Sequence, residues 1–344
     1  MKKTMFGFVI GLLMLSACTP QSEKLIVMTH DSFAISETII TDFESENNIE
    51  IIFLPSGDAG SILNRAILSK NAPTADILYG IDNTYLSRAI EEDLFETYDS
   101  ALLVHIPDQF KLDSQNRVLP IDYGDVCINY EKRFFRENNL DLPTSLNDLV
   151  GPEYKNLLVV ENPATSSPGL AFLLATIAEF GEDGYLDFWT DLKQNDVSVA
   201  NDWETAYYTN FSGSAGKGAQ PMVVSYGTSP AAEVIYSEED LTESPTASLV
   251  EKNMCFRQIE FAGILKGTRN RELAEKFIDH MLSPEFQEDI PLNMFVFPVN
   301  SEARIPQEFL DHIQIPEIPA VIAADQIAEM RETWIGSWRE LMLQ

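Results

Sequence analysis

Leu119-Pro-Ile-Asp-Tyr-Gly-Asp-Val-Cys-Ile-Asn-Tyr130 decides how the chain is organised, because it reads as one long strand among short ones. Before it, strand and helix patterns alternate. Lys24-Leu-Ile-Val-Met28 is followed by helical spacing over Ile35 to Ser45, and Glu50-Ile-Ile-Phe53 closes a βαβ unit. A helix over Ser61 to Ser69, a strand over Ala75 to Tyr79 and a helix over Asn83 to Phe95 continue the series, which predicts an α/β chain with a parallel sheet. A second long segment, Cys255-Phe-Arg-Gln-Ile-Glu-Phe-Ala-Gly-Ile264, follows well over a hundred residues later. Between the two lies a self-contained set of elements at Asn156 to Val160, Leu170 to Phe180, Tyr185 to Leu192, Pro221 to Ser225 and after Pro230. The expected architecture is a first lobe, 25–123 plus 259–344, with a second lobe, 124–258, inserted into it. The return segment leads into a helix from Asn270 to Leu282, with Asn270 as N-cap and Leu273, Phe277, Ile278 and Met281 on one face.

The composition suits this architecture. The 344 residues leave room for two lobes at roughly 100–200 residues per domain. With 45% hydrophobic and 22% charged residues, 17 Gly and 18 Pro, the chain matches globular proteins and not disordered, collagenous or multi-span membrane classes. Its 54 acidic residues outweigh 23 Lys and Arg, for a formal charge of −31. A phosphate backbone is repelled over most of such a surface, so nucleic acid is not an expected partner.

At the N-terminus, Lys2 and Lys3 precede an apolar stretch from Met5 to Leu15 that is shorter than the roughly 20 residues of a bilayer span. It reads as a signal peptide, residues 1–17. Its end, Leu15-Ser16-Ala17-Cys18, resembles the lipobox of bacterial lipoproteins, which makes Cys18 the lipidated first residue of the mature chain and 18–24 its tether. The expected location is therefore extracytoplasmic and lipid-anchored. Cys127 and Cys255 remain, in a compartment where disulfides persist. They lie in the two crossing segments, which run side by side if one lobe is inserted in the other, so a Cys127–Cys255 disulfide is expected.

Catalytic chemistry finds little support. His30, His105, His280 and His312 are scattered without zinc-ligand spacing, so no metal site is expected. Tyr226-Gly-Thr-Ser-Pro230 lacks the second glycine of a nucleophile elbow. Ser212-Gly-Ser-Ala-Gly-Lys-Gly218 has the wrong spacing for a phosphate loop and reads as a surface hairpin. Neither a catalytic residue nor a cofactor is predicted. More telling are three loops that open helices: Gly57-Asp58-Ala59-Gly60, Thr165-Ser166-Ser167-Pro168-Gly169 and Thr228-Ser229-Pro230. Helix capping explains any one of them, but their spread over both lobes suggests an inter-lobe cleft lined by helix N-termini. Tyr123, Trp203, Tyr207, Tyr208, Tyr226, Phe295 and Phe297 interleave with them, a wall suited to a planar or cationic ligand.

Seven blocks in order carry a family resemblance: Thr29-His-Asp-Ser-Phe-Ala34, Ala75-Asp-Ile-Leu-Tyr-Gly-Ile-Asp-Asn83, Pro120-Ile-Asp-Tyr-Gly124, Pro163-Ala-Thr-Ser-Ser-Pro-Gly-Leu170, Asp202-Trp-Glu-Thr-Ala-Tyr207, Ser225-Tyr-Gly-Thr-Ser-Pro230 and Ser283-Pro-Glu-Phe-Gln287. Together with the tail Trp334-Ile-Gly-Ser-Trp338, they resemble the thiamine-binding subunit of bacterial ABC importers. The resemblance implies a type II periplasmic-binding-protein-like fold, with a monomer holding thiamine, thiamine monophosphate or thiamine pyrophosphate between its lobes and delivering it to ABC permease subunits. It places Trp203 and Tyr226 on the rings, and Asp58, Ala59, Ser166 and Ser167 at the hydroxyl or phosphate end. His30, Asp82, Thr165 and Phe295 complete the implied ligand-binding set. Three positions depart from the family pattern: His30 replaces a tyrosine, Ala232 an aromatic and Phe295 a tryptophan. Two alternatives remain open, an iron(III)-binding subunit using Tyr207-Tyr208 as oxygen ligands and an extracytoplasmic enzyme acting on thiamine phosphates.

Overall fold

A computed structural model describes residues 23–213, 218–237 and 241–344. The signal peptide, Cys18 and most of the tether lie outside the described residues, as does the tip of the 212–218 hairpin. Glu23, counted with the tether by sequence, already begins the first strand, one residue before the expected start at Lys24.

Among the described residues ten strands form one sheet: β1 (Glu23–Thr29), β2 (Ile49–Pro55), β3 (Ile77–Asp82), β4 (Leu119–Glu131), β5 (Leu158–Glu161), β6 (Ser198–Ala200), β7 (Met222–Tyr226), β8 (Thr246–Leu249), β9 (Phe256–Ile264) and β10 (Phe297–Pro298). The order is β2-β1-β3-β9-β4-β7-β5-β6, with β8 and β10 also paired to β4. Two parallel trios, β2-β1-β3 and β7-β5-β6, thus flank a central antiparallel pair, β9 and β4. Strand β4 changes partners along its length. Leu119 to Val126 pair with β9, while Val126 to Tyr130 pair with β7. One strand therefore serves as an interior strand of both halves, which is why it is long and almost entirely buried, its Asp122, Asp125 and Asn129 taken up by hydrogen bonds. Where β4 meets β9, Arg257 makes a bidentate ion pair with Asp125, with nitrogen–oxygen distances of 2.8 and 2.9 Å, and lies 5.1 Å over the Tyr123 ring. The structure joins Cys127 to Cys255 by a disulfide between the ends of the same two crossings, with Cα atoms 4.2 Å apart.

Among the described residues ten α-helical elements cover the sheet: α1 (Glu37–Asn47), α2 (Ala59–Ser69), α3 (Leu86–Glu91), α4 (Lys132–Asn138), α5 (Ser167–Gln194), α6 (Ser229–Ile235), α7 (Arg271–Leu282), α8 (Pro284–Asn293), α9 (Gln307–Leu310) and α10 (Ala324–Leu343). Two expectations need correction, and a third holds. Helix α3 is shorter than the 83–95 pattern because the Asn83 side chain is taken up by β9, accepting from Ile259 N–H and donating to the Arg257 carbonyl, while Asp93 adopts a left-handed φ of 57°. The two helices expected over 170–180 and 185–192 are both present within α5, separated by the non-helical Gly181 at φ +72°. Asn270 caps α7 by position but makes no side-chain cap bond, since its amide reaches the Lys24 carbonyl and the Asp76 carboxylate. The C-terminal helix α10 bridges the two halves, with Trp338 edge-on to Trp189 of α5 at 5.4 Å and Arg331 over the Tyr85 ring at 4.7 Å.

Candidate ligand-binding cleft

The strand ends of both halves open onto a cleft of about 570 Å³. One wall comes from chain segments outside the inserted stretch: His30 after β1, Asp58 and Ala59 at the start of α2, Gly80 in β3 and Glu260 in β9. Helix α2 starts two residues earlier than its periodicity suggests, so Asp58 occupies its N-cap position and Ala59 its first turn. The opposite wall comes from the inserted stretch: Ser167 at the start of α5, Trp203, Tyr207 and Tyr208 around a π-helical turn at Thr205–Asn210, Tyr226 at the end of β7 and Ser229 at the start of α6.

The first wall is built around a charge network. His30 Nε2 lies 3.4 Å from Glu260 Oε2. Tyr79 donates to Asp122 and, at 3.2 Å, to Glu260, and Asp122 shares a further hydrogen bond with Glu260. Burial works against a charged His30, but Glu260, Asp58 and Asp31 prevail and hold its pKa above the ordinary imidazole range. Burial and the Glu260 charge push Asp122 far up, leaving it the protonated partner; Glu260 is held below the usual range by His30 and the donors around it, against its own burial. Burial pushes Asp58 up to about 6; His30 pulls against this, and Asp202, Asp31 and Glu204 reinforce it. Gly80 leaves the space for this arrangement. Its φ is +95°, and a Cβ there would stand 2.3 Å from His30 Cδ2.

The second wall is aromatic. Trp203 stacks on Tyr207 with centroids 5.1 Å apart and donates from Nε1 to Ser225 Oγ at 2.9 Å, so its plane is fixed from behind. It is half-buried. Tyr207 donates to Glu233 at 2.7 Å. Gly124 lies under Tyr226, where a Cβ would meet the ring at 2.9 Å. Phe295, at φ 54°, has its carbonyl held by the Thr228 hydroxyl.

Of the ten residues expected to bind ligand, His30, Asp58, Ala59, Ser167, Trp203, Tyr226 and Phe295 line the cleft. Asp82, Thr165 and Ser166 are not among the lining residues. Asp82 is buried against Thr84, whose N–H and hydroxyl both donate to it, and Thr165 turns its hydroxyl to the Asn201 carbonyl at 2.6 Å. Ser166 is fully buried, its hydroxyl without a partner. Ser166 is the N-cap, in extended backbone, and Ser167 the first helical residue, so the adjacent serines point in different directions and only Ser167 reaches the lining. Tyr123 and Phe297 stack on each other at 5.1 Å, and neither lines the cleft. Tyr236 went unnoticed in the sequence. It follows Ala232 by four residues, one helical turn, lines the cleft and packs edge-on to Phe295 at 5.1 Å, so an aromatic stands one turn beyond the position where Ala232 lacks one.

A two-lobed α/β molecule with a polar and aromatic cleft between its halves is the architecture of a solute receptor, and the chain belongs to the bacterial extracellular solute-binding proteins, whose family pattern matches residues 72–329. It is 31% identical over 334 residues to the thiamine-binding periplasmic protein of Salmonella typhimurium, an alignment covering 95% of this chain and 96% of that one. With the thiamine-binding periplasmic protein of Escherichia coli it shares 30% identity over 320 residues, 92% of each. Among solved structures it is similar to a periplasmic thiamin binding protein, with a TM-score of 0.80 and 27% identity over 93% of this chain and 96% of that one. The type II periplasmic-binding-protein fold follows.

Proposed function

We propose that the chain is the solute-binding subunit of a bacterial ABC importer, capturing thiamine or its phosphate esters outside the cytoplasm and delivering them to permease subunits. The observation that carries this reading is the meeting, in one cleft, of Asp58 and Ala59 with Ser167, Trp203 and Tyr226, which come from distant parts of the chain, the last three from family-like blocks. The aminopyrimidine and cationic thiazolium rings lie against Trp203 and Tyr226, and the hydroxyl end points to Asp58, Ala59 and Ser167. The partner switch of β4 at Val126 supports the division into lobes 25–123 with 259–344 and 124–258. The subunit acts as a monomer without catalysing a reaction, and its leader is removed so that Cys18 carries the lipid anchor. No described helix is long and apolar enough to cross a membrane.

Isothermal titration with thiamine tests this reading. One-to-one saturable binding and unchanged ligand in the released fraction are expected. A visible absorption band with ferric citrate and no response to thiamine would replace it with the iron-binding reading, and chemical conversion of thiamine phosphates would replace it with an enzyme.

A further inference from the structure

We propose that His30 makes the cleft specific for a cation: without ligand its imidazolium is paired with Glu260, and a cationic ring that enters takes over that carboxylate while the His30 proton leaves to solvent. The inference rests on the thiamine-binding reading above and deepens it, since all three candidate ligands carry the thiazolium charge. Among the described residues no lysine or arginine lines the cleft, so the imidazolium is the protein cation that a positively charged ligand meets there. It stands 3.4 Å from Glu260 Oε2, with both side chains mostly buried, and its Nε2 closes no hydrogen bond. Charge alone holds the pair, so a second cation can compete for it.

The surroundings determine which partner gives way. Glu260 is held from behind: the Tyr79 hydroxyl of β3 donates to it at 3.2 Å, and the protonated Asp122 of β4 shares a further hydrogen bond with it. Neither donor lines the cleft, so the carboxylate keeps its charge whatever enters. His30 is seated on Gly80 and tilted against the Tyr79 ring at 5.5 Å, which leaves the imidazole little room to swing aside. Against burial, which favours the neutral ring, Glu260 of β9, Asp58 of α2 and Asp31 on its own loop hold the imidazolium charged; with Tyr79 they are the titratable groups that face it. Across the cleft, burial and then the charge of Glu260 keep the Tyr226 hydroxyl protonated, which puts this carboxylate beside a ring assigned to the ligand. A thiazolium has no proton to lose, whereas an imidazolium does, so when both approach one carboxylate the imidazolium is the one that neutralises. The exchange balances: one ligand cation enters and one proton passes to the buffer. A neutral ligand of the same shape leaves the His30–Glu260 pair closed and gains nothing from it.

The test is calorimetric titration of the delipidated protein with thiamine at about pH 7 in buffers of different ionisation enthalpy, which counts the protons released per ligand bound. Release of more than about 0.3 proton per thiamine is expected from the native protein. His30→Gln should lower it to about 0.1 or less, the share left to Asp58, whose value of about 6 leaves it roughly nine-tenths ionised at this pH. The imidazole proton resonances of the native protein give a second reading. Of the four histidines only His30 lines the cleft, and one resonance should titrate at lower pH with thiamine bound than without it. This reading decides the matter if His30→Gln fails to fold. Equal proton release in the native protein and in His30→Gln, or thiamine binding that lowers the titration of no histidine, overturns the inference and leaves the thiamine reading standing. Failure of thiamine to bind the native protein removes that reading, and the inference with it.

Discussion

The two walls of the cleft solve different problems. The wall formed outside the inserted stretch is a network of titratable groups, His30, Glu260, Tyr79 and Asp122, whose members hold one another in place. The wall from the inserted stretch is a stack of rings, Trp203 on Tyr207, backed by single hydrogen bonds to Ser225 and Glu233. A stack recognises a flat ring system whatever its substituents, whereas a carboxylate network reads charge and protons. Affinity for the vitamin's rings should therefore reside mainly on one wall, and sensitivity to pH and to charged substituents mainly on the other.

The largest expected effect concerns what ties the walls together. The Cys127–Cys255 bond closes a loop with a sequence separation of 128, and by the chain-entropy model it stabilises the fold by up to ~4–5 kcal/mol. The double variant Cys127→Ser with Cys255→Ser should show a clearly lower urea midpoint than the oxidised protein, with ligand binding retained where it remains folded. Two reactive thiols in the unfolded, unreduced protein would show that the bond is not made.

Next comes the aromatic wall. Trp203→Ala removes a stacking partner common to all three candidate ligands and should weaken thiamine binding by about 2 kcal/mol, roughly thirtyfold. Trp203→Phe should restore much of the loss, because a ring remains even though the bond to Ser225 does not. Near-native affinity in the alanine variant would move the rings elsewhere in the cleft.

A smaller effect separates the walls by pH. Asp58 has its pKa pushed up to about 6, with His30, Asp31, Asp202 and Glu204 acting on it, and a cationic ligand favours its ionised form. Thiamine affinity should be full above this value and fall as pH drops through it, by roughly fourfold between about pH 7 and 5.5. Stability of the empty protein should move the opposite way. Asp58, Asp82 and Asp122 bind protons more tightly folded than unfolded, and so does His30, so stability contributed by their protonation is gained as pH falls through their folded values. Calorimetric affinities and thermal midpoints that shift together over this range would break the comparison. Smallest of all, Ser166→Ala deletes a buried hydroxyl without a partner and should change thiamine affinity by less than about 0.5 kcal/mol. A loss equal to that of Trp203→Ala would put Ser166 on the ligand.

Much of this was legible in the sequence. Periodicity marked the alternating strands and helices, and the two long segments marked the crossings, because a strand that is interior in both halves is buried along almost its whole length. The partner change at Val126 carried no local signal, since pairing depends on strands far away in the chain. Helix α10 was counted with the first lobe, but the partners of Trp338 and Arg331 are set by packing that periodicity does not encode. In the cleft, residue types at helix starts pointed to the right loops but not to which side chain faces the ligand, as Ser166 and Ser167 illustrate. Tyr236 was missed because its place in the cleft depends on the exit from a seven-residue helix.

Trp203 offers the most direct test, since Trp189, Trp334 and Trp338, the other three of the four tryptophans, are buried away from the cleft. Thiamine titration followed by tryptophan fluorescence should give a saturable change in the native protein that is lost in Trp203→Phe while calorimetry still reports binding. A thiamine-dependent signal of the same size in Trp203→Phe, or none in either protein despite native folding, would contradict the placement of the vitamin between these two walls.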